Sequence, residues 1–257
     1  MKPRALVLKV AGTNCDLETC RAFEIAGADW DLVHINELIS GPKQIANYQL
    51  IALPGGFSYG DDISAARVLA TKIKARLLGD FKAALDRGVP IIGICNGFQV
   101  LVKTELLPGK DIGPATLFFN DSYKFEDRWV WLRPEGTNCI FTRGFQEPIY
   151  LPVAHMEGKY VAEDENLEAL DDKKRVVFRY ADASGEIALG KFPDNPNGSL
   201  RDIAGVTDES GLILGMMPHP ERHLDGTNHP RWPREGVKRE GDGIALFRNA
   251  VKFTTGE

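Results

Sequence analysis

The stretch PIIGICNGFQVLVKTELL, residues 90–107, decides how the rest of the chain is read. IIGI (91–94) is a short β-branched run, and the residues after it place Phe98, Leu101, Val102 and Leu106 at helical spacing. A buried strand running straight into an amphipathic helix is part of a parallel βα repeat. Between the two stands Cys95, with Gly93 and Gly97 two residues away on either side. G-x-C-x-G has the form of a nucleophile elbow, where a strand turns sharply into a helix and exposes a reactive side chain. It equally has the form of a tight turn around a packed cysteine, since free cysteine is among the most buried residue types. On the first reading the thiol meets a helix N-terminus, whose dipole and free N–H groups favour the thiolate. The Asn96 N–H would then face a developing oxyanion.

Outward from this stretch the alternation continues. ALVLKV (5–10), DLVHI (31–35) and LIAL (50–53) read as strands. TNCDLETCRAFEIAGA reads as a helix with Thr13 or Asn14 as cap, Asp16 and Glu18 in the first turn, and Gly27 at its end. A longer helical region covers about 62–87, broken near Gly79 and stopped at Gly88. From about 115 the texture changes: ATLFFN, RWVWLRP, PIYLPVAH and KRVVFRY read as strands with no helix between them. IAGV and LILGMM form a hairpin across TDESG, and GIALFRNAVKF closes the chain as a helix. The predicted fold is α/β, an open, mostly parallel sheet with helices on both faces and added antiparallel strands. Functional loops belong at the carboxyl ends of such strands. No linker divides the chain, so residues 1–257 are expected to form one domain, with 223–257 as a C-terminal extension over its edge.

Composition narrows the function classes. The 257 residues are 43% hydrophobic and 26% charged, with net charge −5, which argues against a nucleic-acid surface. No apolar run approaches the roughly 20 residues a membrane span needs, and MKPRALVLKV is too charged and short for a signal peptide. Cys15, Cys20, Cys95 and Cys139 form no C-x-x-C pair, so a reducing cytoplasm is the expected compartment and no metal site is predicted.

A thiol nucleophile needs a base, and the base an orienting group. Of the five histidines, His219 in MMPHPERH has the best local chemistry. In an extended segment His219 and Glu221 would project together, letting the carboxylate hold one tautomer of the imidazole. A surface histidine beside a solvated glutamate has the same sequence; the cluster of His219, His223 and His229 raises a metal reading, which its irregular spacing and intervening prolines argue against. LPGGFSYGDD (53–62) follows a strand, and its glycines allow N–H groups to converge on an anion. Gly56 or Phe57 would pair with Asn96 as oxyanion donors. An ordinary glycine-rich turn is the alternative; neither phosphate-loop signature occurs.

PGG after a strand, then GICNGFQ, then HPE, in that order, resembles the class I glutamine amidotransferases. PGGFSYGDD, GICNGFQVL, NPNGS and MMPHPER, with GTNCD (12–16) at the start, are more narrowly similar to the glutaminase subunits of phosphoribosylformylglycinamidine synthases. The motifs span residues 12–222. The resemblance implies Cys95 as nucleophile, His219 as general base and acid, and Glu221 as its orienter. It implies that Gln99, Gly55 and the loop of Asn195, Asn197, Gly198 and Ser199 contact L-glutamine. It implies no cofactor on this chain, with ATP and Mg on a separate synthetase subunit that receives the ammonia, and a small bridging subunit as a further partner. Neither nucleic acid nor a membrane is expected among the partners. AHMEGKY (154–160) departs from the family pattern at Met156, leaving the roles of His155 and Glu157 open. A glutaminase serving another synthetase and a non-catalytic glutamine-binding subunit are the competing readings.

Overall fold

In a computed structural model, which describes residues 2–256, the first half of the chain alternates strand and helix. β1 (Arg4–Lys9) leads into α1 (Asp16–Ala26), β2 (Asp29–His34) into α2 (Ile35–Ser40), and β3 (Leu50–Leu53) into α3 (Arg67–Arg76) and α4 (Leu78–Asp86). β4 (Ile91–Ile94) enters α5 (Asn96–Lys103) with only Cys95 between them. The second half runs β5 (Ala115–Phe119), β6 (Glu126–Pro134), β7 (Ile149–His155), β8 (Glu157–Ala162) and α6 (Asp164–Asp172). It continues through β9 (Val176–Ala181), β10 (Ile203–Thr207), β11 (Ile213–Met216), the short α7 (Trp232–Glu235) and α8 (Ile244–Thr255).

Nine strands form one sheet in the order β2-β1-β3-β4-β11-β10-β9-β6-β7. The first five are mutually parallel, and every later pair is antiparallel. All residues of β3, β4 and β11 are buried, which is why these strands read as unbroken apolar runs. Phe23 of α1 meets Phe247 of α8 edge to face at 5.2 Å. Phe98 of α5 stacks at 6.2 Å on Tyr160 of β8, and β8 pairs only with β5 in a separate ribbon.

Three local expectations are corrected. Thr13 and Asn14 do not cap α1; Cys15 takes that place without a side-chain cap bond. The Thr13 hydroxyl accepts from Val10 N at 3.1 Å and Asn14 Oδ1 accepts from the Cys15 thiol at 3.2 Å, so both capping oxygens are spent inside the turn. The helical region after β3 starts only at Arg67, because Ile63 and Ala66 take positive φ, and it breaks at Leu77 rather than Gly79. Beyond residue 115, α6 and β8 were missed. α6 has acidic Asp164 and Glu165 in its first turn and buries Leu167 and Leu170.

The segment after His223 folds back on the chain. Gly241 N donates to Leu224 O at 3.0 Å, Gly243 N to His223 O at 2.9 Å, and Asp242 Oδ2 accepts from Tyr150 N at 3.0 Å.

Candidate active site

Strands β1, β3, β4 and β11 are neighbours in the sheet, and their carboxyl ends deliver the 10–15 turn, the 54–60 loop, Cys95 and His219 to one edge. This is where a parallel sheet collects functional groups. Cys95 has φ 51° and ψ −106°, a conformation a non-glycine residue adopts only under strain. The two flanking glycines make the turn possible by their lack of a side chain. A Cβ on Gly97 would strike the Leu53 carbonyl, and one on Gly93 would strike Leu101 and the Gly97 carbonyl. The elbow does not leave the thiol open: Cys95 is 5% exposed, with Sγ 3.7 Å from the Ala154 carbonyl.

His219 Nδ1 and Glu221 Oε1 are 2.7 Å apart, both residues buried. An extended backbone does not align them, as the sequence suggested. Pro220 opens a single 3-10 turn (Pro220–Arg222) that curls Glu221 back under the ring. His219 N donates to Pro152 O at 2.8 Å, which anchors the segment. Burial opposes the imidazolium, but the Glu221 carboxylate and then Cys95 outweigh it, holding the His219 pKa well above the usual imidazole range. Nδ1 is engaged by Glu221, while Nε2 is buried with no hydrogen-bond partner among the described residues. That nitrogen is the one free to exchange a proton.

Sequence reasoning missed Cys15. Its Sγ lies 3.8 Å from His219 Nδ1 and accepts from Arg222 Nη2 at 3.1 Å. Burial raises its thiol pKa. Donor atoms of Cys15, His219 and Glu221 fall within 4.8 Å of one another. A cation there would have to displace the Arg222 guanidinium from the sulfur and break the His219–Glu221 bond, so the trio reads as support for the imidazole. His223 and His229 do not join His219. His223 Nδ1 donates to Tyr150 O at 2.7 Å, and both rings pack beside Trp129, at 5.0 and 6.0 Å.

The 54–60 loop is stitched to the 10–15 turn. Gly55 O accepts from Asn14 N and Cys15 N, at 3.4 and 3.3 Å, and Tyr59 N donates to Ala11 O at 2.7 Å. Phe57 is a correction: its N–H donates to Gly12 O at 2.8 Å and is no longer available to an oxyanion. The N–H groups of Gly56 and Asn96 have no such partner among the described loop and cap bonds. Gly56 has φ +141°, and a Cβ there would meet Asn14 N and Gly12 O at 2.7 Å, so only glycine fits. Gly55 is packed rather than open, since a Cβ would meet His219 Cε1 at 2.7 Å. Asn96 joins loop to helix: Oδ1 accepts from Ser58 N at 3.4 Å, and Nδ2 donates to Asp61 at 3.2 Å and Gln99 Oε1 at 3.0 Å.

The expected glutamine contacts are turned inward instead. Gln99 Nε2 donates to Glu157 O at 2.6 Å, so both ends of its amide are engaged. Asn195 Nδ2 donates to Ser199 O and Asp202, and its Oδ1 takes the Gly198 N–H at 2.8 Å. Asn197 Nδ2 donates to Gly158 O at 2.9 Å and to the Tyr180 hydroxyl at 3.1 Å. Ser199 Oγ accepts from Tyr160 N at 3.0 Å. These side chains hold their loop against the 157–160 strand because buried polar atoms must be paired somewhere. The loop is tied to β9 through the Tyr180 hydroxyl, whose pKa burial raises and the bond from Asn197 lowers in part.

Residues 2–254 match the CobB/CobQ-like glutamine amidotransferase domain family. The chain belongs to that family. Similar chains include the phosphoribosylformylglycinamidine synthase subunit PurQ of Dehalococcoides mccartyi, 49% identical over 98% of each chain. A PurQ subunit of Methanococcus maripaludis is 41% identical over 98% of this chain and 97% of its own. Among solved structures, a chain of PurLQS from Thermotoga maritima matches with TM-score 0.75 and 35% identity, over 98% of this chain and 99% of that one. A glutamine amidotransferase from the same organism, 15% identical with TM-score 0.59, shares the fold. The α/β fold and the amidotransferase character read from the motifs both stand.

Proposed function

We propose that this amidotransferase chain hydrolyses glutamine at Cys95 and passes the ammonia to a synthetase subunit that amidates formylglycinamide ribonucleotide. The observation that carries the reading is the strained Cys95 beside a buried His219 that is paired to Glu221 through Nδ1 and unpartnered at Nε2. In this mechanism the Cys95 thiolate attacks the glutamine amide carbon, and the Gly56 and Asn96 N–H groups receive the oxyanion. The His219 imidazolium gives its Nε2 proton to the amide nitrogen, the C–N bond breaks and ammonia leaves. Neutral His219 then takes a proton from water as it attacks the thioester, and glutamate and the thiolate are regenerated. Gln99 and the 195–199 loop shape the pocket by holding the 157–160 strand in place, with backbone groups the remaining source of direct substrate contacts.

The reaction requires no cofactor on this chain; ATP and Mg belong with the synthetase. A synthetase and a third, smaller partner are supported by the solved Thermotoga maritima PurLQS assembly, whose similar chain is matched end to end. Beside the site Phe57, Tyr123, Phe125 and Met156 are exposed, and the rings of Phe57 and Phe125 are 6.2 Å apart, an apolar surface suited to a protein partner. No helix among the described residues is long and apolar enough to cross a membrane; a cytoplasmic setting goes with purine synthesis.

The test is glutamate release from glutamine, with and without the synthetase, by the natural chain and by Cys95→Ala. The variant should lose at least about 10⁴-fold, as removal of a covalent nucleophile does. Activity unchanged in the variant would sink the mechanism.

A further inference from the structure

His155 closes β7 immediately after Ala154, whose carbonyl touches the Cys95 sulfur. It is 3% exposed, and its ring lies so close over Gly158 that a Cβ there would strike it. Its protonation pattern is fixed by Asn120. Asn120 Nδ2 donates to two backbone carbonyls, Lys124 O at 2.9 Å and His155 O at 2.8 Å, which sets the orientation of the amide. Asn120 Oδ1 must then be the acceptor. It takes the Gly158 N–H at 3.2 Å and lies 3.0 Å from His155 Nδ1. An oxygen cannot donate here, so Nδ1 carries the proton and Nε2 presents a bare lone pair. That Nε2 is buried and has no partner among the described residues. An unpartnered acceptor buried one residue from the carbonyl that touches the nucleophile is free to pair with a donor on the substrate.

Burial, and then the charge of nearby His219, push the His155 pKa down to about 3. The two imidazoles beside the nucleophile are therefore opposites: His219 is held charged and donates, His155 is held neutral and accepts. The reaction supplies one nitrogen rich in N–H bonds close to both His219 and Cys95, the amide nitrogen that leaves.

Resting on the glutaminase reading above, we propose that His155 Nε2 accepts a hydrogen bond from the leaving nitrogen of glutamine. His219 supplies the proton that completes NH₃, the C–N bond breaks, and one of the three N–H groups points to His155. Because His155 Nε2 has no proton to give, the product stays NH₃, the form a synthetase can use as a nucleophile. His155 is thus a catalytic residue through its lone pair, with Asn120 as its positioning residue.

The test compares L-glutamine with its γ-methyl ester, whose leaving group has no N–H, in the complex with the synthetase. His155→Asn keeps a donor for Asn120 and removes the Nε2 acceptor, whereas His155→Gln places an amide oxygen near the Nε2 position. The Asn variant is expected to lose about 10–100-fold in kcat/KM for glutamine. It should hydrolyse the ester, and support amidation from added ammonium chloride, within about twofold of the natural chain; the Gln variant should recover glutamine activity. Equal losses on amide and ester would overturn the proposal, pointing to a contact with the shared α-ammonium or to a structural role. Full glutamine activity in the Asn variant would overturn it too. Independently of any variant, a protonated Nε2 in the ¹⁵N spectrum of His155 would overturn it. Failure of the natural chain to release glutamate would instead reject the glutaminase reading itself.

Discussion

The elbow at 93–97 and the loop at 195–199 both stood out in the sequence, yet they are built on opposite principles. At the elbow, Cys95 sits at positive φ, and the nearby His219 Nε2 and His155 Nε2 are buried without partners. In the 195–199 loop, both side-chain ends of Asn195 and Asn197 are hydrogen-bonded within the protein, and the Ser199 hydroxyl accepts a backbone N–H. Strain and unmet hydrogen-bonding capacity cost stability, and they persist only where a surrounding frame over-determines the geometry. The 195–199 loop is part of that frame, bonded to Gly158, Tyr160 and Tyr180. Its asparagines are satisfied at both ends, whereas His219 and His155 each keep an unpartnered Nε2 among the described residues.

The contrast can be broken from the reactive side first. Glu221→Gln removes the carboxylate that keeps His219 charged, and glutaminase turnover should fall about 10²–10⁴-fold, as in other buried triads that lose their carboxylate. With Glu221 gone the largest influence opposing burial is lost, so the His219 pKa drops and any rate limb that needs the imidazolium moves to lower pH. A pH–rate profile of the variant that keeps the natural limb would contradict this.

Acid should probe the second imidazole. The folded His155 refuses a proton down to about pH 3, whereas the unfolded chain binds one below about 6.5. In that window the unfolded state carries more protons, so stability falls by about 1.4 kcal/mol for each pH unit lowered. His219, whose pKa is raised on folding, contributes stability that is complete below about 6.5 and is lost only as pH rises through its folded value, so it adds no slope in the acid window. Urea unfolding at pH 6, 5 and 4 measures the slope, and His155→Asn should flatten it.

The frame should respond in stability rather than chemistry. Asn197→Ala takes away the partner of the Tyr180 hydroxyl and of the Ser199 N–H, and it should cost about 1–3 kcal/mol in denaturant unfolding. Its kcat/KM for glutamine should drop far less than in Glu221→Gln; a loss as large would place Asn197 among the reacting groups. The mildest test is thiol labelling near pH 7.5. Burial raises the Cys20 pKa to about 12 and that of Cys139 to about 11, and it raises that of Cys15 as well. A glutamine-like electrophile should label Cys95 before any of the three.

Local rules made much of this molecule legible. IIGI and LIAL became strands with the expected ends, and G-x-C-x-G became the strand-to-helix turn. Their apolar runs and glycines restrict the backbone whatever surrounds them. α6 and β8 were lost in a stretch read as strands, because EGKYVA is half-buried and DENLEALDD buries only two leucines.

What the residues alone could not decide was which polar atom is spent where. Thr13 and Asn14 look like helix caps, Phe57 N–H like an oxyanion donor, and Asn197 like a ligand for substrate. Thr13 and Asn14 are spent on neighbours within their own turn, while Phe57 and Asn197 are committed to partners that only the folded chain brings within reach: Gly12 O for Phe57, and Gly158 O and Tyr180 for Asn197. Cys15, 204 residues before His219, meets its imidazole only because β1 and β11 end at the same edge of the sheet. Backbone preference is a local energy and is written in short motifs. The pairing of buried polar groups is settled by what the whole fold places within hydrogen-bonding distance.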